Sequence, residues 1–349
     1  MVDVMISKTM KMPRSLYFEA TGIAPGLLLS VVIAAAATFV SDHYGGPKFL
    51  YALLLGISLH FLSDHEKCGA GIEFAAKKLV RIGVALLGVR IAFSDVSAIG
   101  LEGVGILAGA VVLTISFSLI LARLLNVSGT FGLLAGGATG ICGISAAMAI
   151  SSTIPQSKEN EQYTLMTAIG VAAFSTIAMV LYPLIVNSLG LTASEAGMFL
   201  GGSIHDVAQV VGAGFMLSTE IGDASTLAKM FRVAMLMPVI LLIALTFRVK
   251  SHNGNSDSHI STPIMPFFLI VFIGLITINS FGWVSAPLAE GMSELSKWCL
   301  VISIAALGVK TSFEKLFSLG WKPILLLLLN AIFIAGYMLT VIYGQRMVS

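Results

Sequence analysis

GGATGICGISAAMA, residues 136–149, sets four glycines and three small polar side chains, Thr139, Cys142 and Ser145, inside an apolar stretch. A regular lipid-facing helix gains nothing from that composition, because glycine costs up to about 1 kcal/mol relative to alanine in a helix interior. An unwound turn does gain, since glycine lets backbone amides come close to a ligand. Half-helix N-termini at such a break favour an anion. The competing reading is an unbroken glycine-rich helix packed tightly on a neighbour. The stacked Gly, Thr, Cys and Ser favour the break, which makes Thr139, Gly140, Cys142, Gly143 and Ser145 candidate substrate contacts.

GGSIHDVAQVVGAG, residues 201–214, repeats the glycine pair and then places Ser203, His205, Asp206 and Gln209 within two turns. Ionisable groups at membrane depth are costly and usually functional. His205 titrates near neutral pH in its free form and Asp206 can relay a proton, so this pair is the candidate for proton or ion coupling. Gln209, four residues after His205, shares its helical face; with Ser203 it joins the candidate substrate contacts. A buried polar network, or a wet span end, is the plainer alternative.

Composition sets the class around these segments. Of 349 residues, 57% are hydrophobic and 11% charged, against roughly 25% charged in a soluble domain. That excludes an ordinary soluble enzyme. Lys and Arg number 20 against 18 Asp and Glu, too even and scattered for a nucleic-acid surface. Thirty-five glycines and a mean hydropathy of +0.96 fit a polytopic membrane protein. Cys68, Cys142 and Cys299 are too few and too dispersed for a disulfide framework or a zinc site. HExxH, GxSxG and GxxxxGK[ST] are all missing from the sequence, so no metal or cofactor is expected and energy would come from an ion gradient.

With about 20 apolar residues per crossing as the ruler, the chain reads as all-α with about eleven transmembrane helices, nine at the fewest. They fall near 22–41, 47–63, 74–93, 103–124, 129–151, 164–189, 195–217, 228–248, 264–282, 293–310 and 321–343. The segments at 129–151 and 195–217 are candidates for broken or re-entrant helices. Lys8, Lys11 and Arg14 precede the first run, which reads as an uncleaved span rather than a signal peptide. Of the 20 Lys and Arg, about 13 fall on the N-terminal side, which places the N-terminus in the cytoplasm. His252 to Ser261 is a polar linker too short for a domain, so one membrane domain, 1–349, is expected.

ALLGVRIAFSDVSAIG (85–100) aligns with AALGVKTSFEKLFSLG (305–320) at an offset of 220, and Arg90 meets Lys310. An odd number of crossings separates the copies, so the chain is expected to carry inverted repeats, around 47–124 and 264–343, as many transporters do. Arg90, Lys310 and Arg232 are candidate anion-binding cations. Snorkelling to the interface is at least as good a reading of Arg90 and Lys310, and Lys229 reads as an interface anchor.

KKLVRIGVALLGVRIAFSD (77–95), GGATGICGISAAMAISSTIP (136–155), FSTIAMVLYP (174–183), GGSIHDVAQVVGAG (201–214) and KMFRVAMLMP (229–238) together resemble the YeiH family of sulfate exporters, nearly end to end. The chain departs from the family pattern at Gly140, where serine is usual, and at Asp206, where glutamate is common. The resemblance implies an inner-membrane protein of the cation/proton antiporter and anion transporter superfamily, with inverted repeats, helices that break and cross near the midplane, and an elevator-like or rocking core. The expected function is secondary active export of a small anion, sulfate or sulfite, by alternating access with a proton or Na⁺ coupled. The expected partners are the anion and the lipid bilayer, with a homodimer admitted. A sodium/proton antiporter using Asp206 is the second reading. An intramembrane enzyme, with His205 and Asp206 as acid and base and Cys142 or Ser145 as nucleophile, is the third.

Overall fold

The computed structural model describes residues 14–63, 65–155, 157–250, 266–317 and 319–348, and their regular structure is all helical. Lys8, Lys11 and the linker expected at 252–261 lie outside the described residues. Among the described residues, six helices are long and apolar enough to cross a membrane: Gly22–Tyr44, Phe93–Leu124, Lys158–Leu189, Thr219–Thr246, Ala286–Lys310 and Trp321–Met347. Their outer faces keep large apolar side chains such as Leu28, Val32, Ile120 and Leu184 exposed, as a surface solvated by lipid tails requires.

The remaining segments are short or interrupted. The apolar run at 47–63 is the helix Lys48–Ser58 with a tight turn His60–Leu62, and that at 264–282 is Phe267–Ser280. Residues 74–93 pass from a wide turn, Ala75–Leu79, through Val80–Leu87 into a tight turn, Gly88–Arg90.

The segments at 129–151 and 195–217 are re-entrant helical hairpins, not crossings. In the first, Gly129–Gly140 and Ile144–Ser151 fold back so that a Cβ on Gly137 would run into the Ile150 side chain. Both arms end at the start of Lys158–Leu189: the Phe131 ring stands 5.6 Å from that of Tyr163, and Thr164 Oγ1 donates to Ser151 Oγ at 2.9 Å. In the second, Ala193–Ser203 and Val207–Leu217 lie side by side on Thr219–Ala234, where a Cβ on Gly201 or Gly214 would run into Ser225. Losing two crossings leaves the parity between the repeat copies unchanged.

The two hairpins flank one long helix in the chain. Lys158–Leu189 has 32 residues and so runs for about 48 Å at 1.5 Å per residue. The first hairpin leads into its start and the second leaves its end, so they enter from opposite ends. Their tips meet near its middle, where Asp206 N donates to Ser175 Oγ at 3.1 Å and a Cβ on Gly143 would touch Val171.

The chain forms two compact units, Met1–Arg81 with Trp298–Lys310, and Ile82–Lys297 with Thr311–Ser349. In the first unit, backbones meet at glycines: Gly26 against the Cys68 carbonyl, Gly71 against that of Ile23, Gly56 against Ala305 and Gly308 against Leu53. The second unit holds both hairpins. There Phe131, Ala135, Ala138, Ala147, Phe174 and Leu327 form a core that seats the first hairpin between the central helix and the last. One polar thread crosses it, from Asn330 Nδ2 to Ser118 Oγ (2.9 Å) and from Ser118 Oγ to the Gly132 carbonyl (2.7 Å).

The two repeat copies share a local path. Helical structure stops after Arg90 and after Lys310, skips two residues, and restarts at Phe93 and Phe313. Each restart then turns at a left-handed glycine, Gly100 (φ 65°) and Gly320 (φ 84°), a conformation that other L-residues adopt only at a cost. The short helices are exchanged between halves. Phe267–Ser280 packs on Gly88 through the Phe272 carbonyl in the second unit, whereas Lys48–Ser58 packs on Gly308 in the first. The exchanged ends are capped alike, with Asn279 Nδ2 on the Ile91 carbonyl (3.2 Å) and His60 Nδ1 on that of Val309 (2.7 Å).

Candidate functional site

The hairpin tips contain the broken backbone that the sequence expects. The first turn runs through Ile141 (φ −111°, ψ −84°) and Gly143 (φ 66°), a left-handed position that explains the glycine. The second leaves the helix at Ile204 (φ −67°, ψ 142°) and caps the next at Asp206, whose Oδ1 accepts from Ala208 N at 3.0 Å.

A break inside a membrane frees carbonyls that water cannot reach, and each must find a donor. Lys229 and Arg232, both fully buried, supply them. Lys229 Nζ donates to the carbonyls of Ile141 (2.8 Å), Ile204 (2.8 Å) and His205 (2.6 Å). Arg232 Nε donates to Gly140 (2.8 Å), Nη1 to Gly201 (2.9 Å) and Ile204 (3.0 Å), and Nη2 to Thr139 (2.7 Å). The C-terminal ends of Gly129–Gly140 and Ala193–Ser203 each carry about half a negative charge, and these two cations answer both.

The opposite ends of the breaks face another way. Ile144–Ser151 and Val207–Leu217 begin beside each other, with a Cβ on Gly143 lying 3.4 Å from Asp206 Oδ2. Ser145 is exposed and Asp206 and Val207 half-buried, whereas Thr139, Gly140, Cys142, Gly143, Ser203, His205 and Gln209 are buried. The tips thus have a closed face, of carbonyls and cations, and an open face, of amide ends, a hydroxyl and a carboxylate.

Several buried polar atoms at the tips have no hydrogen-bond partner among the described residues: Thr139 Oγ1, both ring nitrogens of His205, and Gln209 Oε1. Gln209 Nε2 reaches Thr176 Oγ1 at 3.4 Å and Ser203 Oγ turns back to the Phe199 carbonyl at 2.5 Å. Unmet polar atoms of this kind are few in a native interior, and these four lie where two helices break.

The structure therefore brings together ten of the twelve residues singled out from sequence and separates two. Arg90 Nη2 pairs with Asp223 Oδ2 at 2.9 Å beside a crevice of about 280 Å³ lined by Asp95, Ser194 and Glu220. Asp223 lies six residues before Lys229 on one helix, about 9 Å along its axis. Lys310 pairs with Glu73 in the first unit. Arg232 is at the tips, but its bonds go to backbone. Lys229, read from sequence as an interface anchor, belongs to the same site. So do Ser175 and Thr176, an adjacent hydroxyl pair at the middle of the central helix.

A family model described as "Conserved hypothetical protein 698" matches residues 25–327. The chain is 44% identical over 313 residues to the UPF0324 membrane protein of Chlorobaculum tepidum, covering 89% of this chain and 87% of that one. The chain belongs to the YeiH family. Other YeiH-family relatives include the UPF0324 membrane protein TauZ of Paracoccus denitrificans, 45% identical over 90% of this chain and 93% of that one. A UPF0324 membrane protein of Rhizobium meliloti is 42% identical over 97% and 98%. These relatives carry the name of membrane proteins, in agreement with the six membrane-length helices.

Proposed function

We propose that the chain is a secondary active transporter that exports a small anion, sulfate or sulfite, by alternating access with a coupled proton. The observation that carries this reading is the side-by-side start of Ile144–Ser151 and Val207–Leu217 between two hairpins inserted from opposite ends of one helix. Half-helix N-termini held near the membrane midplane offer positive dipole ends to an anion that has shed its water. Ser145 adds a hydroxyl on that open face. Asp206 stands next to the same amides, so its proton removes a repulsion at the moment the anion binds, which is a direct means of coupling. His205, buried beneath it, lies one residue away.

In this reading Cys142 packs rather than attacks, in keeping with its burial, and the protein is a carrier, not an enzyme. Its place is the bacterial inner membrane with the N-terminus in the cytoplasm, supported by the bias of Lys and Arg along the chain.

Efflux of labelled sulfate or sulfite from proteoliposomes, with and without an imposed pH gradient, tests the proposal. Saturable, gradient-sensitive efflux is expected, and its loss in a His205→Ala, Asp206→Ala double variant. Efflux equal to that of empty liposomes for both anions would refute it.

A further inference from the structure

Lys229 and Arg232 do more than satisfy carbonyls, because each divides its bonds between the two hairpins. Lys229 takes Ile141 from the first and Ile204 and His205 from the second. Arg232 takes Thr139 and Gly140 from the first and Gly201 and Ile204 from the second. Both cations rise from Thr219–Ala234, on which the second hairpin also lies through Gly197 and Gly201.

Parting the tips would strand two buried cations and several buried carbonyls at once, and each such loss is costly in a medium without water. We propose that Lys229 and Arg232 are positioning residues that staple the two hairpin tips and Thr219–Ala234 into one body whose tips stay together. All three donors of Lys229 and four of the five of Arg232 are committed to backbone, so neither residue is a contact for the anion. This deepens the transporter reading and rests on it for the identity of the motion, not for the staple itself.

The staple is tested by pulsed electron resonance on spin labels at Ser152→Cys and Thr219→Cys, exposed positions at the open ends of the two hairpins. A Cys68→Ser background is used, the other two cysteines being buried. A second pair, Ser152→Cys with Tyr44→Cys, reports motion between the two compact units in the same proteoliposomes. Sulfate, sulfite and a pH gradient are applied in turn. The expected result is one constant hairpin-to-hairpin distance while the second pair shifts. A hairpin distance that changes by more than a helix pitch, roughly 5 Å, would overturn the proposal, as would two pairs that never move in vesicles that carry either anion.

Transport kinetics supply a readout that does not depend on labels. Arg232→Lys, which keeps the charge but loses the fork, is expected to lower the maximal rate about tenfold with KM for the anion within twofold, and Lys229→Arg to do the same more mildly. A tenfold rise in KM with an unchanged maximal rate would make these residues anion contacts and end the staple. If neither anion is carried, a constant distance in the wild type that broadens in Arg232→Lys still supports the staple while the transporter reading fails. A distance unaltered in Arg232→Lys overturns the staple alone.

Discussion

Gly143 and Asp206, the caps of the two inward-starting half-helices, stand in contact: a Cβ built on the glycine would lie 3.4 Å from the Asp206 carboxylate. The two hairpins therefore meet cap to cap, and the backbone of one forms part of the wall around the ionisable group of the other.

Gly143→Ala is the sharpest probe of that contact. At φ 66° a side chain costs about 1–2 kcal/mol, and the added methyl comes into van der Waals contact with Asp206. Thermal unfolding in detergent should fall by a few degrees, and the pH-gradient dependence of efflux should weaken more than the stability loss accounts for.

Ser145→Ala separates binding from folding. The hydroxyl is exposed on the open face of the tips, so its removal should leave the unfolding midpoint in place. A hydrogen bond to a charged ligand contributes about 1.5–3 kcal/mol, so KM for the transported anion should rise by at least tenfold. An unchanged KM would move the anion away from this face.

The matched glycines can be told apart from ordinary ones. Nothing lies within 4 Å of a Cβ on Gly100, Gly320 or Gly336, yet the first two have φ 65° and 84° while Gly336 is helical. Gly100→Ala and Gly320→Ala should each destabilise by about 1–2 kcal/mol, and Gly336→Ala should stabilise by up to about 1 kcal/mol. Equal shifts for all three would count against the repeat geometry.

The ion pair of Arg90 and Asp223 should behave as a partly buried pair, its side chains 19% and 22% exposed. Asp223→Asn should cost about 1–3 kcal/mol, and Arg90→Gln in the same background should add less than it costs alone, a coupling readable from four unfolding midpoints.

Residues 136–149 and 201–214 disclose their breaks because glycine and small polar groups are otherwise wasted in lipid. They do not disclose re-entrance, since a hairpin and a crossing share one composition. What distinguishes them is the packing of Gly137 on Ile150 and of Gly201 and Gly214 on Ser225, contacts made across the fold. Lys229 escapes a linear reading because basic residues at span starts usually anchor at the interface. Its signal was the spacing of Ser225, Lys229 and Arg232 at i, i+4 and i+7, which lines one polar face inside an apolar helix. Gly100 and Gly320 reveal the repeat as identical residues, but the exchange of short helices between halves leaves no trace in either copy.

That exchange also dictates a timetable. The first compact unit joins Met1–Arg81 to Trp298–Lys310, so its packing partner is still unmade when the early helices leave the ribosome. At 5–20 residues per second, the 217 residues from Arg81 to Trp298 take about 10–40 s to make. Throughout that interval the glycine faces of Lys48–Ser58 and its neighbours wait in the bilayer, where a chain cut short before residue 298 would leave them open to other helices and to membrane proteases.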